Sequence, residues 1–557
     1  MSAFRKPPQV DGDDQLIRIG LPLLRQEPDS CPAGRALRAR PLLTQHPERS
    51  RRKPVEDFPF APWGDLVDSV EHRGRTLAEA ATNSGSMRRC SEAHMRWAVE
   101  AAGTYLAARS REQSVRVAAG HPATRPVRKQ WVGVDRLREQ DGRGADRYER
   151  TAWGRQYASD DGSLREIWIP SIDSVKRDRP LPEIAAAAYV AASGVPADLP
   201  YGKRAQLSDS QSVLPQRVRV VGIGLGDGST QVLADWTAAE AKRQFDEYAK
   251  ELMSSAADGR ELRPGQDCAR CEALSGCPAV PRVPGLLGAP ASHRPRKRRS
   301  VSVSDLRAYR DCPARYYLTR VLKLRDGRTE NAAIRRGRAV DAWLNERHAA
   351  KPGTPCRRVP LPESLPGLSA EELPSAVAMI RHHRGRCPLD GLAVDETVEP
   401  QRRLAVYDPQ ADVVVIADCD LVHTDRGGTV VRETKTASHR FGERQELVRT
   451  YPQLALAVLL MAAGVLGGDP RRSRIELEVL REDGARLEEV DPFDALTLDQ
   501  SRCVITELAA GWAADETYTA DPAHDFDCAG CEARRWCTSA RTSHSDGAVR
   551  TPGVVHR

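Results

Sequence analysis

The chain has 557 residues, of which 40% are apolar and 29% charged, with 41 Gly and 39 Pro. This mixture fits a globular chain with room for two or three domains and excludes collagenous and wholly disordered classes. Net charge is +7, from 84 basic and 77 acidic residues, a mild bias toward polyanions. No apolar run approaches the ~20 residues needed to cross a bilayer. The opening MSAFRKPPQVDGDDQ lacks the apolar stretch of a secretory signal, so the expected location is the cytoplasm and no membrane partner is expected. Only 11 of the basic residues are Lys, and three of those follow residue 300, so a Lys inside a motif there is less open to chance.

In chain order, a first set of elements opens at Cys31-Pro32. An RGR turn leads into a helical stretch, RGRTLAEA at 73–80. WGRQYASDDGSLREIWIP (153–170) alternates apolar residues around a Gly-containing turn, the mark of a hairpin. The Ala-rich helix EIAAAAYVAASG follows, then a strand pair, a helix and Cys268, Cys271 and Cys277 in a C-x2-C-x5-C pattern. GLLGAPASHRPRKRRSVSVS (285–304) reads as a linker. Its basic residues Arg294, Arg296, Lys297, Arg298 and Arg299 suit either nucleic acid phosphates or a solvated tether.

The same order then recurs. Cys312-Pro313 opens the second set, RGRAVDAW (336–343) follows, and DLVHTDRGGTVVRETKTA (420–437) matches the earlier hairpin without a gap. YPQLALAVLLMAAG is the apolar helix, and Cys528, Cys531 and Cys537 repeat the C-x2-C-x5-C spacing. Repeats reset the fold expectation, and here they indicate a tandem duplication.

The hairpin at 413–437 carries the chemistry. Glu433 and Lys435 stand two apart on a strand, so they share a face, and Asp420 meets them from the partner strand. Two carboxylates can hold Mg²⁺ or Mn²⁺, hard ions that prefer oxygen ligands. A Lys beside them can orient or deprotonate water and offset negative charge. Asp418 points to the same face as Asp420 and competes with it.

SVSDLRAYRDCPARYYL, RRGRAVDAWL, IADCDLV, RETKT and YPQLALAVLL, closed by the Cys trio, form an ordered series. That series resembles the PD-(D/E)XK nuclease superfamily, in the RecB-like branch with an iron–sulfur cluster. The fold implied is α/β: two tandem restriction-endonuclease-like domains, each a central mixed sheet flanked by helices and closed by a Cys cluster. The resemblance makes Asp420, Glu433 and the Thr434 carbonyl ligands of Mg²⁺ or Mn²⁺, Lys435 the catalytic Lys, and Gln453 a residue that positions DNA or water. Where the family has His, Asp341 stands as a further metal ligand, and Ala457 replaces the family's Tyr. His348, seven residues beyond Asp341, reads as a surface His.

Cys312, Cys528, Cys531 and Cys537 supply the four thiolates of a [4Fe–4S] cluster, with a structural zinc site as the alternative. By the repeat, Cys31, Cys268, Cys271 and Cys277 hold a second cluster, while Cys90, Cys356, Cys387, Cys419 and Cys503 read as ordinary cysteines. In the gapless hairpin match Asp420, Glu433 and Lys435 correspond to Trp153, Glu166 and Trp168, so the first copy reads as catalytically silent. Arg35, Arg38 and Arg40 form either a phosphate track or an exposed face, and the two Trp either stack on bases or pack in a core.

The expected organisation is a disordered tail (1–14), a degenerate nuclease-like domain (15–284), a basic linker (285–300), a catalytic domain (301–540) and a disordered tail (541–557). The chain has no G-x-x-x-x-G-K-[ST] motif, so a helicase or ATPase partner would be a separate chain. The expected activity is metal-dependent hydrolysis of DNA phosphodiesters in repair, recombination or defence against foreign DNA. The competing readings are a non-catalytic DNA-binding iron–sulfur protein and a redox-responsive regulator.

Overall fold

The computed structural model describes residues 4–25, 30–44, 55–83, 89–136, 147–200, 202–208, 213–289, 297–325, 331–350, 353–437, 446–524, 526–537 and 539. Mixed sheets flanked by helices organise both halves. In the second half, Val413–Asp425 pairs antiparallel with Val398–Asp408 and with Gly428–Thr436. Gly428–Thr436 pairs parallel with Arg474–Arg481, which pairs antiparallel with Gly484–Val490. A parallel step needs a crossover, and the helix Pro452–Ala462 supplies it. That helix is apolar almost all round because it lies between the sheet and the helix Ala495–Ala514. Arg299–Ser302 adds a parallel edge strand beside Val413–Asp425.

The first half repeats this succession. Thr124–Pro126, Arg155–Ser159, Leu164–Ser171, Arg217–Gly224 and Thr230–Thr237 pair in turn antiparallel, antiparallel, parallel and antiparallel. The helix Leu181–Ser193 makes the crossover. A single central sheet was expected here, but a second five-stranded sheet accompanies it. That sheet is built from Leu16–Gly20, Gln130–Arg136, Arg147–Thr151, Val195–Asp198 and Gln206–Leu207.

Four local expectations are corrected. The described part of the N-terminal tail is ordered: Val10 is buried, Asp11–Gly12 pairs with Leu43–Thr44, and Phe4 lies under the Arg40 guanidinium. The described part of the linker is packed rather than solvated. Leu286 and Leu287 enter the second-half core, Arg298 is buried against Asp412, and Arg299 lies over Trp512. The RGR at 336–338 is helix interior in Ala332–Ala349 and makes no turn. Arg40 is buried and donates to the Ala36 and Ala257 carbonyls, while Arg38 pairs with Asp267, so these two line no open phosphate track. Arg294, Arg296 and the tail 541–557 lie outside the described residues.

The gapless hairpin match is also displaced. Four residues (160–163) separate the first-half strands, whereas two (426 and 427) separate the second-half strands. Tyr157, not Trp153, stands across from Glu166. Glu166 and Trp168 face away from the crossover helix, while Ile167 and Ile169 face it. Trp168 is a core residue, fully buried beside Tyr105 and Tyr157.

Glu166 is itself sealed from solvent. Its carboxylate accepts from Arg116 (2.7 Å), Arg219 (2.6 Å) and Thr124 (2.8 Å), with Arg109 at 3.5 Å. Removing it breaks the buried ion pairs of Arg109 and Arg116, while Arg219 keeps Glu112 at 2.8 Å, and breaking such a buried pair costs about 3–5 kcal/mol. Glu166→Gln is therefore expected to destabilise the protein by that order, read as a lower midpoint in fluorescence-monitored urea unfolding.

Candidate functional site

The site begins with a tight hairpin. Asp425 pairs with Gly428, and both intervening residues have positive φ, Arg426 at 51° and Gly427 at 83°. This left-handed pair matches the twist of the flanking strands and fixes their register. Leu421 pairs with Arg432, so the next pair sets Asp420 across from Glu433. Lys435 lies two residues on, on the same face.

The three side chains meet. Lys435 Nζ is 3.0 Å from Glu433 Oε2 and 3.3 Å from Asp420 Oδ2. Asp420 also accepts from the Thr434 backbone N–H at 2.8 Å, which orients the carboxylate. Asp418 is engaged elsewhere, by Arg403 at 2.5 Å. A cleft of 250 Å³ opens over the group, lined by Asp420, Glu433, Lys435 and Gln453, with Ser302 and Arg307 from the segment opening the second half. Gln453 enters from the first turn of the crossover helix. Asp341 does not line the cleft, but it stands near enough for Asp420 to raise its carboxyl pKa further, after burial. Arg307 was not singled out by sequence, because nothing in its spacing distinguishes it from other exposed arginines.

The electrostatics follow from placing charge on a buried strand. Burial, then Asp420, pushes the Glu433 carboxyl up to about 7, although Lys435 pulls it down. Burial works to lower the Lys435 pKa, but Glu433 and Asp420 together hold it above the usual lysine range. Two acids this close hold one cation already. A divalent ion would offset their repulsion more fully, and the oxygen-rich donor set suits Mg²⁺ or Mn²⁺.

Residues 300–538 match the family model of the PD-(D/E)XK nuclease superfamily. The matched stretch contains the hairpin, the cleft and the closing Cys trio. No curated protein matches the chain. Among solved structures, the crystal structure of SSO0001 is similar at 14% identity over 43% of this chain and 86% of that one, with a TM-score of 0.23.

The two Cys sets lie in separate regions of the fold. Cys31 and Cys312 each precede a short helix that starts with Pro, Pro32–Arg38 and Pro313–Tyr316. Cys31, Cys268, Cys271 and Cys277 line one cavity of 410 Å³. Burial, followed by smaller repulsion from neighbouring thiols, raises Cys268 and Cys271 to about 11. At the C-terminal end, burial raises Cys531 to about 11, and Cys312 adds to the shift, as it does for Cys528. Thiols grouped in this way ionise only when a cation offsets them, so the donor chemistry fits a metal centre.

The sequence reading missed one group. His348, taken as a surface His, is buried, and so are Cys356 and Cys387, taken as ordinary cysteines. With His383 they form a set that could hold a metal ion.

Glu433 gives a pH signature. Its folded pKa exceeds the unfolded value near 4.5, so the folded chain holds the proton more tightly. This contribution is complete below the unfolded pKa and is lost as pH rises through about 7. Metal-free protein is expected to lose thermal stability across that window, and Glu433→Gln to lose less of it.

Proposed function

We propose that the chain is a metal-dependent DNA nuclease whose centre is Asp420, Glu433 and Lys435. The supporting observation is the convergence of two carboxylates and one ammonium within 3.3 Å at the mouth of a cleft. The superfamily match over residues 300–538 gives that convergence its chemical meaning. Asp420, Glu433 and the Thr434 carbonyl would hold Mg²⁺ or Mn²⁺, with Asp341 as a further carboxylate. Bound there, the ion would polarise the phosphodiester and acidify an attacking water. As an ammonium, Lys435 orients that water and meets the negative charge that grows on the phosphate oxygens, while the proton the water sheds passes to solvent. Gln453 positions the water or the scissile strand from the helix above. The water oxygen joins phosphorus as the P–O bond to the leaving nucleotide breaks, and the departing oxygen takes a proton.

The DNA path is supported by a neighbouring groove of 520 Å³ that shares Ser302, Ser304 and Asp418 with the cleft. Arg270, Arg320 and Lys323 line it. Burial, then Arg325, lowers the Lys323 pKa, while Asp305 raises it.

The finer reading follows the RecB-like branch. Cys312, Cys528, Cys531 and Cys537 would carry a [4Fe–4S] cluster, and Cys31, Cys268, Cys271 and Cys277 a second. A structural zinc ion, with the same ligand count, is the alternative at either set. The first half would be a duplicate that lost its metal site. The shared strand succession supports this, as do Ile167 and Ile169 on the face that carries Glu433 and Lys435 in the second half. A motor, if one is used, comes from another chain.

Lys435→Ala is expected to lower Mn²⁺-dependent cleavage by about 100- to 1,000-fold while leaving DNA affinity near wild type. Wild-type protein that cuts no DNA with either ion would support the binding-only reading. Arg320→Glu with Lys323→Glu should weaken DNA binding and reduce its salt slope by about one for each lost phosphate contact. Cys528→Ser should remove about four iron atoms per chain from anaerobically purified protein and bleach part of the visible absorbance.

A further inference from the structure

The helix bearing Asp341 ends in a second group of ligand-type side chains, separate from both Cys sets. His348 lies in its last turn, Cys356 opens the short turn Cys356–Arg358, His383 sits near the end of the helix Leu373–Arg384, and Cys387 follows. One ligand atom from each lies within 4.8 Å of all the others. All four residues are buried, Cys356 and His383 at 0% exposure.

The distances suit one small ion. His348 Nε2 is 3.6 Å from Cys356 Sγ and 3.9 Å from Cys387 Sγ. Tetrahedral zinc with Zn–S of about 2.3 Å and Zn–N of about 2.0 Å sets neighbouring ligands roughly 3.5–3.8 Å apart. His383 directs Nδ1 at the Glu478 carboxylate, at 2.9 and 3.0 Å. Its Nε2 is buried and makes no hydrogen bond of normal geometry. An orphaned nitrogen of this kind is costly unless something occupies it. A carboxylate behind an imidazole is the arrangement that fixes the tautomer of a metal-bound His.

We propose that His348, Cys356, His383 and Cys387 bind a structural zinc ion. Two thiolates and two imidazoles fill its four positions and leave none for substrate. The ion joins the end of the helix Ala332–Ala349 to Leu373–Arg384 and, through His383 and Glu478, to the strand Arg474–Arg481. Asp341 lies two turns up the same helix, so the ion would fix the height at which that carboxylate approaches Asp420. The rival is a disulfide between Cys356 and Cys387, which would leave both imidazoles without a role.

The test is elemental analysis of the full chain, purified under reductant without chelator. Wild type is expected to retain zinc that His383→Ala and Cys387→Ala lose, with iron content unchanged in both. Cys387→His keeps four ligands and is expected to keep the zinc. Cobalt-loaded wild type should show the intense visible bands of tetrahedral thiolate ligation, and Cys387→Ala should not. Glu478→Gln retains every ligand and tests the site without deleting one: its zinc should pass to a competing chelator about 10- to 100-fold more readily. Three results would overturn the proposal: zinc-free wild type, equal zinc in His383→Ala and wild type, or a Cys356–Cys387 disulfide in protein alkylated before any reductant is added.

Discussion

Like charge on a buried strand is the constraint around which the second half is arranged. Asp420 and Glu433 face each other across a hairpin whose other positions are largely apolar. Left alone, two desolvated carboxylates repel and one takes up a proton. Lys435 prevents collapse of the site by lying between them, and the Thr434 amide holds Asp420 in line. The left-handed Arg426-Gly427 turn matters for the same reason, since a slip of one residue would send every one of these groups to the other face.

Neighbouring elements then decide which side of the sheet is reactive. The crossover helix Pro452–Ala462 is so apolar that it covers most of the face and leaves open only the end where Gln453 sits. On the opposite face, Arg432 is tied to Glu476 and Glu478, so the charges there are neutralised within the sheet. One face offers unsatisfied acids to a cation, while the other is internally balanced. In the first half the balance is carried further: Glu166 is enclosed by arginines, and Ile167 and Ile169 fill the face toward the crossover helix.

Much of this was legible in the chain of residues. Alternation and a two-residue spacing suffice to place Glu433, Lys435 and Asp420 together, because strand geometry is local and its period is fixed. The repeated Cys spacing likewise pointed to Cys31 as a companion of Cys268, Cys271 and Cys277, and these four line one cavity. The displacement between the hairpins was not legible, because it depends on turn length, and a gapless match assumes equal turns. The His348, Cys356, His383 and Cys387 group was hidden for a different reason. Its spacing, H-x7-C-x26-H-x3-C, contains a single short pair, and the packing of two helices is needed to bring the four together. The order of residues 4–14 also escaped notice, since it rests on contacts with Arg40 and Ala273 that are far away in sequence.

The halves are not merely strung together. Tyr317, Leu318, Cys531 and Trp536 share an apolar cluster with Trp63, Trp97 and Tyr105. The Tyr317 hydroxyl donates to the Glu56 carbonyl at 2.6 Å, and Arg96 donates to the Trp536 carbonyl. The segment that closes the second Cys set therefore rests on aromatic rings supplied by the first half. Loosening those rings would slacken a loop at the far end of the sequence, so the first half serves as the bed on which that loop lies.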